Sequence, residues 1–308
     1  MACVVTLGNF DGVHLGHQAL LNKLMHQARQ LQAAPVLILF EPHPAEFFLA
    51  EKAPARLMCL REKRQVLQAW SLAQILCLQF NRHLAHCSAR TFVQRWLVEA
   101  LQAKSVIVGE DFRFGRHRRG DVALLRKLGK QYGFRVVIVP ALVESSTVRS
   151  GFSQHHLTSE KVSSSQVRAA LLVHDFERAA RLLGRPFCVS GYVQPGQQRG
   201  STLGFPTANI SLDRIVSPVK GVFAVRVHGV DAQPLPAVAN IGYHPTVGCA
   251  PQPVLEVHLL DFKATLYGHH LQVEFLAKLR DEQHFSTIEA LKQQIAQDIA
   301  AASALFSR

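Results

Sequence analysis

Gly8-Asn9-Phe10-Asp11-Gly12-Val13-His14-Leu15-Gly16-His17 stands between a short apolar run, Cys3-Val4-Val5-Thr6-Leu7, and the start of a helical pattern. Glycines let backbone N–H groups approach a phosphate closely, and a helix N-terminus adds positive potential toward it. His14 and His17, at i and i+3, fall on one face of the first turn and can point at the same anion. A strand, a Gly-rich turn and a helix start with two imidazoles predict a site that holds a nucleoside triphosphate against a second, phosphate-bearing substrate. The run also reads as a βα unit, which sets the fold class of the first half of the chain.

Outward from this turn the first half alternates strand and helix signals. Strands are expected over 4–7, 35–40, 74–79, 105–108 and 135–140, with helices over 62–69, 89–101 and 123–132. The first helix carries Leu20, Leu21, Leu24, Ala28 and Leu31 on one stripe. Near-continuous apolar strands separated by helices argue for a parallel sheet covered on both faces. Ligands of such sheets bind beyond the strand C-termini, where the opening run falls. From residue 187 the pattern changes to β-like runs between Gly and Pro, at 187–193, 205–210, 222–227, 237–241, 255–261 and 271–276. Six strands without intervening helices suggest a small, largely antiparallel barrel or sandwich. An amphipathic helix over 288–305 closes the chain, capped by Ser286-Thr287. The boundary is expected around Leu183-Gly184-Arg185-Pro186, giving domains 1–183 and 184–308.

With 308 residues the chain has room for two domains, each with its own core. Hydrophobic residues at 48% and charged residues at 18% are ordinary for a globular protein. No apolar run approaches the roughly 18 residues of a membrane span, and the first strand begins too early to leave a signal peptide. A cytoplasmic protein without a membrane partner is the expectation. A net charge of +12 favours anionic partners. The only dense basic cluster runs from Arg113 to Arg119, and no zinc-finger or RNP-type pattern accompanies it. Small phosphate-bearing substrates explain the cluster equally well and ordinary surface Lys/Arg the rest, so no nucleic-acid partner is expected. The six cysteines form no CxxC pair, and the doublets His155-His156 and His269-His270 have no partners at zinc spacing.

Five further segments bear on the chemistry. Val108 through Gly115 ends the fourth strand on the ligand side of the sheet; Asp111 can accept from a ribose or base, and Phe112 and Phe114 offer an apolar wall. Ser163-Ser164-Ser165-Gln166-Val167-Arg168 opens another helix, with hydroxyls in the first turn and Arg168 placed as a triphosphate clamp. In the second half, Leu203-Gly204-Phe205-Pro206-Thr207-Ala208-Asn209 is a sharp turn delivering a hydroxyl and an amide two residues apart, oxygen donors suited to Mg²⁺ and phosphate. Glu256 lies within the apolar run Leu255-Glu256-Val257-His258-Leu259, where a carboxylate can serve as base for an alcohol nucleophile. Asn240 through Thr246 reads as a turn-rich loop near the same mouth.

The opening run resembles the signature of the HxGH nucleotidyltransferases. The whole chain resembles the prokaryotic bifunctional FAD synthetases, riboflavin kinases joined to FMN adenylyltransferases. Beyond the segments above, the likeness runs through Phe40-Glu41-Pro42-His43-Pro44, Arg118, Gly120-Asp121, Gly221-Val222-Phe223, Leu266-Tyr267-Gly268 and Leu279-Arg280-Asp281-Glu282. It implies a Rossmann-like nucleotidyltransferase domain followed by a six-stranded antiparallel β-barrel with a C-terminal helix. The implied substrates are riboflavin, FMN and ATP, the implied final product FAD, and the implied cofactor Mg²⁺ with ATP. By the same likeness Gly8, Phe10, His14, His17, Ser164, Ser165 and Arg168 bind ATP in the first domain, with His14, His17 and Arg168 catalytic. Thr207 and Asn209 hold Mg-ATP in the second, Glu256 is its catalytic base, and Asp111, Phe112, Arg118, Asn240 and Glu256 face flavin.

Three departures fall in the second half: Ser201 and His244 where the family usually has Arg, and Pro195 where it has His. Ser165 replaces a Thr but keeps the hydroxyl. One rival reading is therefore an adenylyltransferase with a weakened or silent kinase. Another, prompted by the charge, is a flavin- or RNA-binding regulator on a decayed enzyme scaffold.

Overall fold

Cys3-Val4-Val5-Thr6-Leu7 is buried along its length because it forms the central strand, β1 (Cys3–Leu7), of a five-stranded parallel sheet. The computed structural model describes residues 2–144, 160–195, 204–246 and 249–307, with only the backbone for strand residues among 244–252. The other strands of this sheet are β2 (Ala34–Glu41), β3 (Gln74–Gln79), β4 (Ala103–Gly109) and β5 (Arg135–Val139), in the order β3-β2-β1-β4-β5. Val5 pairs with Val36 on one side and Val106 on the other. The chain builds outward from β1 through β2 to β3, then returns to place β4 on the opposite side. That reversal opens a crevice at the C-terminal end of β1, where α/β sheets bind ligands. The opening run follows β1, and the Asp111 loop follows β4.

Helix Leu15–Leu31 buries Leu21, Leu24 and Ala28. Leu31, expected on the same stripe, is exposed because the helix ends there against a left-handed Gln32 cap. The expected helix over 89–101 is present, but Val93–Ala100 winds as a π-helix, with Leu101 N–H donating to Trp96 O at 3.2 Å. A short antiparallel pair, β6 (Val143–Glu144) and β7 (Glu160–Lys161), has no counterpart in the sequence pattern.

In the second half, β8 (Cys188–Gln194), β9 (Ala208–Ser211), β10 (Gly221–His228), β11 (Leu235–Thr246), β12 (Cys249–Leu259) and β13 (His270–Arg280) close into a barrel. The order is β10-β11-β12-β9-β8-β13, and all neighbours are antiparallel. Closure decides barrel over sandwich and removes open sheet edges. Period-2 alternation does the sorting: Leu255, Val257 and Leu259 are buried, while Glu256 and His258 between them face outward. Helix Ile288–Phe306 follows, capped by Thr287 Oγ1 at 3.1 Å from Ala290 N. Among the described residues no helix is long and apolar enough to cross a membrane.

Packing divides the chain into two units, Met1–Ala53 with Lys63–Gln166, and Pro54–Glu62 with Val167–Arg308. In the second unit, Phe176 of helix Phe176–Leu183 joins Phe187, Phe223 and Phe275 in an aromatic cluster, with ring centroids 5.2–6.5 Å apart. Pro54–Glu62 is held by Arg214, whose side chain is fully buried. Its guanidinium donates to Arg56 O and Leu57 O, both at 3.3 Å, and to Glu62 Oε2 at 2.6 Å. The Glu62 carboxylate also accepts from Ser190 N at 2.8 Å and Cys59 N at 2.7 Å. Removing one partner of such a pair strands a buried charge, at a cost of about 3–5 kcal/mol. Glu62→Ala is therefore expected to lower the unfolding free energy by that amount in a denaturant titration followed by circular dichroism. A loss under about 1 kcal/mol, the scale of an exposed pair, would show that the tie does not stabilise the barrel unit.

Candidate active sites

The turn after β1 adopts a backbone that most residues avoid. Phe10 and Val13 both have positive φ, 47° and 43°, and Gly12 lies between them at 83°. A β-branched residue there is a strained outlier, of the kind that persists where the surrounding structure enforces it, often at ligand sites. The strain is held by burial: Phe10, Asp11, Val13 and His14 are all buried. The turn feeds helix Leu15–Leu31, which has His14 at its N-cap, no side-chain cap bond and no acidic residue in its first turn. The first turn of the helix thus places no carboxylate of its own at the positive end.

Phe10, His17 and His14 form a stack, with centroids 4.6 Å and 3.7 Å apart. The two imidazoles thus lie as stacked neighbours, their planes 25° apart. Although His17 as a residue is only part-buried, its Nδ1 is enclosed and without a hydrogen-bond partner. Burial, helped by His14 and Lys63, holds its pKa well below the ordinary histidine value. His17 is accordingly a neutral N–H donor at pH 7. Lys63, almost fully buried, is a residue the sequence pattern does not single out. It lies in a segment that reads only as helix, and only folding brings its charge to bear on His17.

Of the serine run, Ser163 caps the helix by accepting from Gln166 N at 3.3 Å. Ser164 Oγ donates to Asp11 O at 2.8 Å, tying the run to the opening turn, and Ser165 is exposed. Arg168 shares a helix face with Ser164 at i+4, and its Nε donates to Ala55 O at 2.5 Å. Beyond β4, Phe112 stacks on Phe114 with centroids 5.3 Å apart. Asp111 is exposed and ion-paired with Lys161, a second cation hidden in the sequence because it lies fifty residues away. Arg118 is exposed in a short 3-10 turn at φ 56°.

On the barrel, cross-strand register assembles a second site. Glu256 of β12 is directly opposite Asn209 of β9 on one side and Asn240 of β11 on the other. All three are part-buried on the outer face, flanked by the buried Ala208, Ile210, Ala239, Ile241, Leu255 and Val257. Thr207 precedes Asn209 by two residues and is also part-buried. His258, unremarked in the sequence, steadies this turn: its Nδ1 is 2.8 Å from Pro206 O, and its ring meets Phe205 edge to face at 5.8 Å. The period of two from Glu256 would have put it on the same face. The donors of Thr207 and Asn209 are hard oxygens and suit Mg²⁺. Among the described residues no group of three or more His, Cys, Asp or Glu could hold a metal. Were Mg²⁺ held here, Thr207 and Asn209 would offer it two oxygen ligands. Ser201 lies outside the described residues, as does the side chain of His244, and Pro195 is exposed.

Comparison with known proteins places both halves. A family model described as FAD synthetase matches residues 1–151, and one described as riboflavin kinase matches 183–306. A bifunctional riboflavin kinase/FMN adenylyltransferase of Escherichia coli (strain K12) is 46% identical over 304 residues, covering 99% of this chain and 93% of the relative. Its counterpart in Pseudomonas fluorescens is 45% identical over 303 residues, covering 98% and 93%. A crystal structure from Streptococcus pneumoniae, described as a macrolide-efflux protein, superposes over 98% of this chain and 94% of its own, with TM-score 0.74 and 28% identity.

Proposed function

The chain belongs to the bifunctional riboflavin kinase/FMN adenylyltransferases, and on that premise we propose how its residues divide the two reactions. The protein phosphorylates riboflavin with ATP to give FMN, then adenylylates FMN with a second ATP to give FAD and pyrophosphate. We assign FAD formation to residues 1–183 and FMN formation to 184–308. Neither the silent-kinase reading nor that of a regulator on a decayed scaffold holds, since both enzyme families match.

In adenylyl transfer the attacking group, the FMN phosphate, is already an anion and needs no base. The protein's task is to position two polyanions and to offset charge as pyrophosphate leaves. His14 and His17 donate N–H to ATP phosphate oxygens beside the open helix N-terminus, and Gly8 and Phe10 shape the turn. Ser164, Ser165 and Arg168 hold the phosphates farther along, while Asp111, Phe112 and Arg118 face the flavin nucleotide. In the kinase reaction the nucleophile is the riboflavin 5′-hydroxyl, which must lose its proton. Glu256 accepts it as the oxygen attacks the γ-phosphorus of ATP, which ADP leaves. Thr207 and Asn209 orient the nucleotide on one side of Glu256, and Asn240 meets the flavin on the other. Bound with ATP, Mg²⁺ supplies neutralisation of phosphate charge.

The row Asn209–Glu256–Asn240 supports this assignment most directly, since three side chains from separate segments meet in one register. Purified protein given riboflavin, ATP and MgCl₂ is expected to form FMN first and FAD after it, as followed by chromatography, and chelation by EDTA should stop both. FAD formation from FMN but never from riboflavin would restore the silent-kinase reading.

A further inference from the structure

The barrel site leaves one acceptor unexplained. Asn240 Oδ1 is buried and has no hydrogen-bond partner among the described residues. An unsatisfied buried carbonyl oxygen is costly, and in a native fold it calls for a reason. The other end of the amide is committed: Asn240 Nδ2 donates to Glu282 Oε1 at 3.5 Å. An ionised carboxylate only accepts, so this contact fixes which end of the amide faces Glu282.

Several features hold Glu282 in place. Its second oxygen is 3.4 Å from Lys220 Nζ. It lies against Gly242, where any Cβ would run into Glu282 Oε1, so the carboxylate occupies space that only a glycine leaves open. The preceding residues are anchored as well. Arg280, the last residue of β13, is gripped by the buried Asp298 of the closing helix, Nε to Oδ1 at 2.9 Å and Nη2 to Oδ2 at 2.8 Å. An anchored carboxylate thus meets an amide whose strand neighbour is Glu256.

We propose that Glu282 is a positioning residue of the kinase reaction, holding the Asn240 amide so that its oxygen accepts a hydroxyl of the ribityl chain beside Glu256. The inference rests on the assignment of riboflavin phosphorylation to the Asn209–Glu256–Asn240 row. Ribityl hydroxyls are the donors that the substrate brings closest to its reacting end, and they match a lone acceptor next to the base. Without Glu282 the amide can rotate and present its NH₂, which matches the same hydroxyl less well.

The test is steady-state kinetics of both reactions on the full chain. Glu282→Ala should raise KM for riboflavin about tenfold, leave KM for ATP unchanged, and leave FMN-to-FAD conversion at the parental rate. Glu282→Gln, whose amide oxygen still accepts from Asn240, should stay within about threefold of the parent. Gly242→Ala should behave like Glu282→Ala by displacing the carboxylate. In an Asn240→Ala background, Glu282→Ala should add nothing, because it acts only through that amide. The proposal falls if Glu282→Ala leaves riboflavin KM within twofold, if Glu282→Gln is as impaired as Glu282→Ala, or if the two alanine substitutions add. Glu256→Gln separates the two levels: full kinase activity in that variant overturns the site itself, whereas its loss beside an unaffected Glu282→Ala overturns only the positioning role.

Discussion

Glu256→Gln is expected to lower riboflavin phosphorylation by about 10²–10⁴, the usual cost of losing a general base, while riboflavin still binds. Glutamine keeps the shape of the side chain and its hydrogen-bond reach but cannot take the hydroxyl proton. An uncharged alcohol is a poor nucleophile toward a phosphoryl group already crowded with negative charge, so positioning alone cannot replace the base. The substitution is also structurally mild, because residue 256 points outward between the buried Leu255 and Val257. A stopped assay of FMN formation, with riboflavin binding followed by flavin fluorescence, checks it. Loss of binding in step with rate would make Glu256 a flavin anchor and place the base elsewhere. FAD formation from supplied FMN should be unchanged.

The strands of both halves are legible because burial writes itself into sequence in two distinct ways. A strand covered on both faces, such as β1, is an unbroken apolar run. A barrel strand such as β12 alternates, and in doing so names Glu256 as the outward residue. Strand ends are less legible: β11 and β12 each extend several residues beyond their expected bounds, through Pro- and Gly-bearing segments that local pattern reads as loops. Local spacing also reveals the His14–His17 pair, since two residues three positions apart within one helical turn need no tertiary information. What stays hidden depends on distance along the chain. Lys161 meets Asp111 across fifty residues, Glu62 meets Arg214 across 152, and Lys63 bears on His17 only once the sheet is assembled. None of these pairings leaves a periodic trace. The cross-strand row is half visible: Asn209, Asn240 and Glu256 each stand out as polar residues in apolar runs, but register, which joins them, is a property of the closed barrel.

His17→Ala is expected to cost adenylyl transfer about 10²–10³ in rate, or roughly 2–4 kcal/mol of barrier, the loss typical of one preorganised donor in an enclosed site. The imidazole is stacked between Phe10 and His14, so its ring plane is set before any nucleotide arrives. Burial keeps it neutral, and its contribution is therefore a directed N–H rather than a free-standing charge. Such a donor costs no reorganisation when negative charge shifts onto the leaving pyrophosphate. Alanine removes the donor and one layer of the stack, so His17→Phe is the companion variant: it refills the stack without the N–H and should be equally inactive. FMN-to-FAD conversion should collapse in both, while riboflavin-to-FMN conversion, assigned to the barrel, stays near the parental rate. If His17→Phe kept adenylyl transfer, the ring would matter for packing alone. If both conversions fell together in a folded protein, the division of the two reactions between two sites would be wrong.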